Sequence, residues 1–321
     1  MKELQRQLVL TVGFLLLHVS MSLVGQESGK PPAEQIGRTL QLQVLLDRAG
    51  YSPGQIDGKP GANTDRAIDA FTREHALDAG AGDEALLEAL GAGRTPVLAN
   101  YTITQADAAG PFVESIPGDL MQQATLPSLG YTSLSELLGE RFHAAPELIA
   151  RLNPQVELAA GREIRVPNVV PHPDVKDAAR DAAAPGGLTI VVSKSTSSLT
   201  VRDGPALVLH APVTTGSTRD PLPLGNWQVT TVSPYPEFHY NPDLFWDADA
   251  TDSPATIAPG PNGPVGVVWI DLSKPHYGIH GTPEPAAIGH TSSHGCVRMT
   301  NWDAARLAAL VGEGTPVRFV E

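Results

Sequence analysis

With 321 residues the chain exceeds one average domain, because domains usually run to about 100–200 residues. Hydrophobic residues at 41% and charged residues at 18% exclude wholesale disorder, and 31 glycines with 29 prolines, above average shares of about 7% and 5%, favour turns and linkers over long helices. A formal charge of −13 argues against a nucleic-acid duplex or an anionic membrane as the main partner, and one cysteine, Cys296, excludes an internal disulfide and a cysteine-rich zinc site.

Residues 1–25 read as an export signal. Lys2 and Arg6 precede an uncharged apolar run from Leu8 to Leu17, and Ser20, Ser22 or Gly25 offers a small residue for cleavage. The run is shorter than the roughly 20 residues of a membrane span, so a cleaved signal is expected rather than an anchor. No span is expected in the mature chain, which is placed in the periplasm or cell wall. An idle exposed thiol is liable to oxidise there.

After a polar, proline-containing linker at 27–35, residues 36–92 carry three helical patterns. Leu40, Val44 and Leu45 mark the first, which breaks at Gly50-Tyr51-Ser52-Pro53-Gly54. The second is expected from a cap at Asn63 or Thr64, with Ala67, Ile68, Phe71 and His75 on one side, and the third over Asp83 to Leu90. Residues 100–168 follow a helix, turn, helix, strand order that ends in Gly161 to Pro167, and residues 169–187, rich in Pro, Asp and Ala, read as a linker. From Leu188 the period shortens to that of strands: 188–193, 198–202, 206–210, 227–232, 265–270 and 317–320. One main helix is expected over Asp303 to Val311, capped by Asn301 or Asp303. The fold class is therefore multi-domain: a small three-helix bundle, a small α+β module and a β-rich domain at 188–321.

Chemistry concentrates between positions 276 and 296, where His276, His280, His290 and His294 lie close to Cys296. On residue types alone three readings stay open. Cys296 could be a buried small hydrophobe. With His280 and His294 it could hold zinc. Or it could be a nucleophile whose proton an imidazole accepts.

The strings Tyr277-Gly278-Ile279-His280-Gly281-Thr282 and Ser293-His294-Gly295-Cys296-Val297-Arg298-Met299 resemble the L,D-transpeptidase catalytic domain of the YkuD family. So do Val213-Thr214-Thr215-Gly216 with Pro223-Leu224-Gly225, the loop Ala258 to Gly266, and Gly314-Thr315-Pro316-Val317, so the likeness spans 188–321. Residues 36–92 are similar to a peptidoglycan-binding domain through Leu42 to Tyr51, Pro53-Gly54-Gln55-Ile56-Asp57-Gly58, Gly61, Thr64, Ala67-Ile68 and Phe71. Residues 100–168 resemble a divergent LysM module through Ser133 to Leu137, Pro146-Glu147-Leu148, Leu152-Asn153-Pro154 and the terminal strand, with Ile116-Pro117-Gly118-Asp119 standing poorly for its opening segment.

The resemblance implies an exported cysteine L,D-transpeptidase. Cys296 would form a thioester with a peptidoglycan stem tetrapeptide and pass it to an amine acceptor, crosslinking the wall or attaching a protein. An endopeptidase or amidase using the same site is the alternative. His280 would carry the proton, the Gly281 carbonyl would orient it, and His294 would be structural or substrate-facing. Backbone N–H groups of Gly295 and Cys296 would hold the oxyanion, with Ser293 and Tyr277 beside them, and Arg298 would meet a substrate carboxylate. No cofactor, metal or nucleic acid is implied.

Overall fold

A computed structural model describes residues 32–78, 82–170, 175–176 and 186–321. The export segment at 1–25 and most of the 169–187 linker lie outside the described residues. Helix α1 (Pro32–Arg48) starts before the expected boundary at 36, followed by α2 (Ala62–Glu74) and α3 (Gly82–Ala89). Gly61 takes the N-cap position of α2 with no side-chain cap, so Asn63 and Thr64 are freed for other contacts. Thr64, Ala67, Ala70 and Phe71 face inward, whereas His75 stays exposed with its ring tilted over Phe71, centroids 4.2 Å apart.

The next region opens with β1 (Leu98–Thr102), which pairs antiparallel with β2 (Glu163–Pro167). Between them lie α4 (Gln105–Ala109), α5 (Leu120–Gln123), α6 (Leu134–Arg141) and α7 (Pro146–Leu152). Residues 116–119 form no strand, and Asp119 caps α5 by accepting from the Gln122 N–H at 2.7 Å.

An eight-stranded sheet forms the remainder, in the order β11-β10-β9-β6-β12-β3-β4-β5. Its members are β3 (Leu188–Ser193), β4 (Ser198–Asp203), β5 (Ala206–Pro212), β6 (Gly225–Pro234), β9 (Val268–Leu272), β10 (Gly278–His280), β11 (Val297–Arg298) and β12 (Pro316–Val320). A small hairpin of β7 (Phe238–Tyr240) and β8 (Ala255–Ile257) stands apart. The expected strand at 265–270 begins only at Val268, because Gly266 turns the chain at φ +62.

Strand β6 bends the sheet. Its first residues pair with β12 and its later ones with β9, and the register shifts between Val229 and Thr231. Such a bulge raises the local twist and re-aims the strands beyond it. Helix α8 (Asn301–Leu310) closes one face, with Ala304, Ala305, Leu307 and Ala308 buried against Val268, Ile270, Ile279, Val297 and Val317. Thr300, not Asn301 or Asp303, is its cap, accepting from the Asp303 N–H at 3.2 Å.

Val175, read as linker, is 1% exposed and belongs to this core. The helical region also docks on the sheet domain. Tyr51 and Ser52 bridge to His210 and buried Ser52 donates to Asp303 at 2.7 Å, while Ile56 bridges to Ala144 within the helical region itself. Asp47 and His143, both fully buried, meet at 3.0 Å, and Arg306 of α8 reaches Asp47 at 3.4 Å. His143 stacks on Trp302 with centroids 5.4 Å apart.

Candidate active site

The two segments carrying the chemical motif are distant in sequence and adjacent in space. β10 ends at His280 and β11 starts one residue after Cys296. They pair in parallel with Ile279 opposite Val297 and His280 opposite Arg298. Three-residue and two-residue strands are too short to announce themselves by alternation. Their pairing is fixed from both sides: Met299 donates to the His280 carbonyl at 2.8 Å, and Thr214 and Arg298 exchange backbone bonds at 3.0 and 2.9 Å.

His280 is 4% exposed. Its Nδ1 lies 2.7 Å from the Gly281 carbonyl, which can only accept, so Nδ1 carries the proton and Nε2 is left as the basic nitrogen. Trp269 stacks on the ring at 5.3 Å. A Cβ on Gly278 would sit 2.4 Å from that indole, so only glycine lets the strand pass. Burial, and then the charge of Arg298, pushes the imidazole down to about 4 against the Gly281 bond that favours its charged form. His280 is therefore neutral at neutral pH.

Cys296 is half-buried, and its thiol points toward the His276 carbonyl at 3.8 Å. Burial pushes the thiol up from its ordinary value, and neither the Gly278 backbone bond nor the nearby Arg298 charge offsets it. Thiol and imidazole are thus each neutral at rest. Ser293 ties the loop: its hydroxyl donates to the Cys296 carbonyl at 2.6 Å and accepts from the Gly295 N–H at 3.2 Å. The Gly295 N–H, read above as an oxyanion donor, is engaged by Ser293 at rest. Gly295 has φ +110, and a Cβ there would strike the Tyr277 ring at 2.7 Å. Burial, then the neighbouring Cys296, raises the Tyr277 phenol, so it stays protonated and able to donate.

His294 lies outside this pair. Its Nε2 meets Asp247 at 2.8 Å on the segment between β7 and β8, flanked by Phe245 and Trp246. Among the described residues no carboxylate forms an ion pair with Arg298. No cluster of three His, Cys, Asp or Glu placed to hold a metal occurs among them.

Two supports escaped the sequence reading. Asn301 accepts from the Val267 and Thr282 N–H groups at 3.2 and 3.1 Å and donates to the Pro261 carbonyl at 3.1 Å. One amide thus joins the proline-glycine loop to the loop that leaves His280, and a Cβ on Gly266 or Gly281 would lie 2.0 or 2.1 Å from its oxygen. Asp247 reaches His294 across 47 positions, with no local signal to pair them.

The fold and site define a β-rich domain whose bent sheet sets a lone thiol one strand away from a buried, backbone-oriented imidazole. A family model for the L,D-transpeptidase catalytic domain matches residues 187–319. A Bacillus subtilis protein named as an L,D-transpeptidase, YqjB, is 30% identical over 144 residues, 43% of this chain and 73% of that relative. The chain belongs to the L,D-transpeptidase family. The YkuD L,D-transpeptidase relative of Bacillus subtilis is 56% identical over 57 residues, 18% of this chain and 35% of its own length. The chain thus spans about a third of the length of the two Bacillus YkuD relatives it matches. A crystal structure of L,D-transpeptidase 3 from Mycobacterium tuberculosis shares 16% identity and a TM-score of 0.36, covering 51% of this chain and 76% of that one.

Proposed function

We propose that the protein is an exported L,D-transpeptidase that joins peptidoglycan stem peptides through a Cys296 thioester. The observation that carries this reading is the pairing of β10 with β11, which sets His280, with its free Nε2, one strand away from Cys296. As Sγ attacks the carbonyl carbon of the donor amide, its proton passes to His280 Nε2. The tetrahedral intermediate then expels the D-residue, whose nitrogen takes that proton, and the C–N bond is exchanged for a C–S bond. An acceptor amine attacks the thioester, gives its proton to His280, and releases Cys296, which is reprotonated. A neutral imidazole suits the first step because it has a lone pair to offer, and a protonated thiol is activated only when substrate is present.

In this reading the Cys296 N–H and the Tyr277 hydroxyl face the oxyanion, and Gly295 contributes when its N–H exchanges Ser293 for the substrate. Arg298 meets a substrate carboxylate, while the Asp247–His294 pair lines the entrance. Residues 36–92 and 100–168, as wall-binding and LysM-like modules, would bring the enzyme to its substrate, and the signal at 1–25 would export it.

The test is incubation of the enzyme lacking residues 1–25 with a stem tetrapeptide and a diamino-acid acceptor, followed by mass spectrometry. Wild type is expected to show a thioester adduct and a new crosslink, and Cys296→Ala neither. An adduct that survives the substitution, or a free tripeptide as sole product with acceptor present, would sink the transpeptidase reading.

A further inference from the structure

We infer that the first helical module is a working part of the catalytic centre, with Asn63 acting as a positioning residue for the loop that links His280 to Cys296. The inference rests on the thiol–imidazole site being the reactive centre. It goes beyond wall binding, the one role that the resemblance of residues 36–92 implies.

The loop from 281 to 296 has a sharp corner at Ile288-Gly289, where Gly289 adopts φ +77. Asn63, at the start of α2, donates from Nδ2 to the Ile288 carbonyl at 2.8 Å. Arg66, one turn on, donates to Asn63 Oδ1 at 2.5 Å, which fixes which end of the amide faces the loop. The fit is close: a Cβ on Gly289 would lie 2.4 Å from Asn63 Oδ1 and 2.9 Å from Arg66. From that corner the contact continues inward. Gly289 donates to Thr214 Oγ1 at 3.0 Å, and Thr214, 1% exposed, holds Arg298 by its paired backbone bonds. Arg298 stands in register with His280, and its charge acts on both His280 and Cys296.

The same module grips the chain a second time, past the cysteine. Ser52 donates to Asp303 Oδ2 at 2.7 Å, the oxygen that also accepts from Thr300 at 2.8 Å at the head of α8. Next to Thr300 stands Asn301, which braces the loop leaving His280. Cys296 is therefore held between two points that both belong to residues 52–63. A module serving only to bind the wall needs neither contact.

Cys296 is the only thiol in the chain, so alkylation reports on it alone. The rate of iodoacetamide alkylation against pH should be measured on the enzyme lacking residues 1–25, on N63A and N63D, and on E84A as an exposed control in the same module. Both Asn63 variants are expected to change the alkylation rate at fixed pH by about threefold or more, equivalent to a shift of about half a pKa unit. E84A should overlay wild type. With a soluble tetrapeptide that needs no wall binding, kcat should fall while KM holds. Aspartate keeps the shape of asparagine but cannot donate to Ile288, so N63D keeps the test open should alanine loosen the module. Profiles of N63A and N63D that both overlay wild type would overturn the inference. Shifted profiles in an enzyme that transfers nothing to any amine would defeat the proposed function and leave the inference standing.

Discussion

The sheet domain and the seam that joins it to the helical region are held by opposite means. The sheet packs an unbroken apolar core, in which Ile190, Val192, Leu199, Val201, Val268, Ile270 and Val317 are fully or almost fully removed from water. Each such side chain contributes about 1.5–3 kcal/mol, without direction. The seam instead buries Asp47, His143, Asp303 and Ser52 and turns Arg306 inward onto them. Burial alone would push the Asp47 carboxyl up, but the charge and hydrogen bond of His143, with Arg306, outweigh it and leave Asp47 below its ordinary value. At Asp303 burial prevails over Arg306, with the Asp47 charge adding to it, and the carboxyl is raised. A network of this kind contributes little net stability and tolerates little displacement. An apolar face alone would permit several dockings; directional bonds to Asp47 and Asp303 permit one.

The largest expected effect separates the two regions cleanly. His280→Gln should slow acyl transfer by about 10²–10⁴-fold, the usual worth of a general base, while leaving thermal unfolding where it was. A matching fall in unfolding temperature would mean that the site and the fold are one unit. Next comes the seam. Asp47→Asn removes the charge facing Arg306, and breaking a buried pair costs about 3–5 kcal/mol. Denaturant unfolding should split into two transitions as the helical region parts from the sheet; one unaltered transition would show that the apolar contacts suffice.

The smallest effect lies on the boundary. Glu140 of α6 receives a hydrogen bond from Asn301, and burial, against that bond, pushes its carboxyl up to about 8. Its Oε1 is shut off from water with no partner among the described residues. The fold accommodates the neutral acid, so this stability is full below the unfolded carboxyl value of 4.5 and is lost as pH rises through about 8. Glu140→Gln should raise the unfolding temperature by several degrees at pH 9 and leave it unchanged at pH 4. Identical shifts at both pH values would contradict this assignment.

The site was legible in the sequence to an unequal degree. Cys296, His280 and Gly281 stood in continuous strings, and the strings themselves located them. The strands that bring them together did not, because two or three residues carry no period. Nor did the seam, whose members Asp47, His143 and Arg306 are separated by 96 and 259 positions. One local sign was present. Leu40, Val44 and Asp47 share the inward stripe of α1 at spacings of four and three, so a carboxylate stood where a core residue belongs. A charge on an apolar stripe points to a buried partner elsewhere, though not to which one. Residues 110–131 were unreadable for another reason: Leu129, with Ile116, Leu120 and Met121 packed against it, forms its core with Tyr240 and Ile257 of the distant hairpin rather than with its own neighbours.

The buried position of Val175 bears on reach. A catalytic domain on a free tether samples a volume set by the length of its linker, and its encounters depend on an effective concentration. Here the connecting segment is pinned into the sheet core at Val175, and residues 51–56 are spliced between their neighbours on either side. Whatever residues 32–170 hold therefore lies at one set distance from Cys296. Under the proposed function, the spacing between a wall contact on residues 32–170 and the reacting thiol would be a property of the fold, and lengthening residues 176–187 with flexible sequence should leave it unchanged.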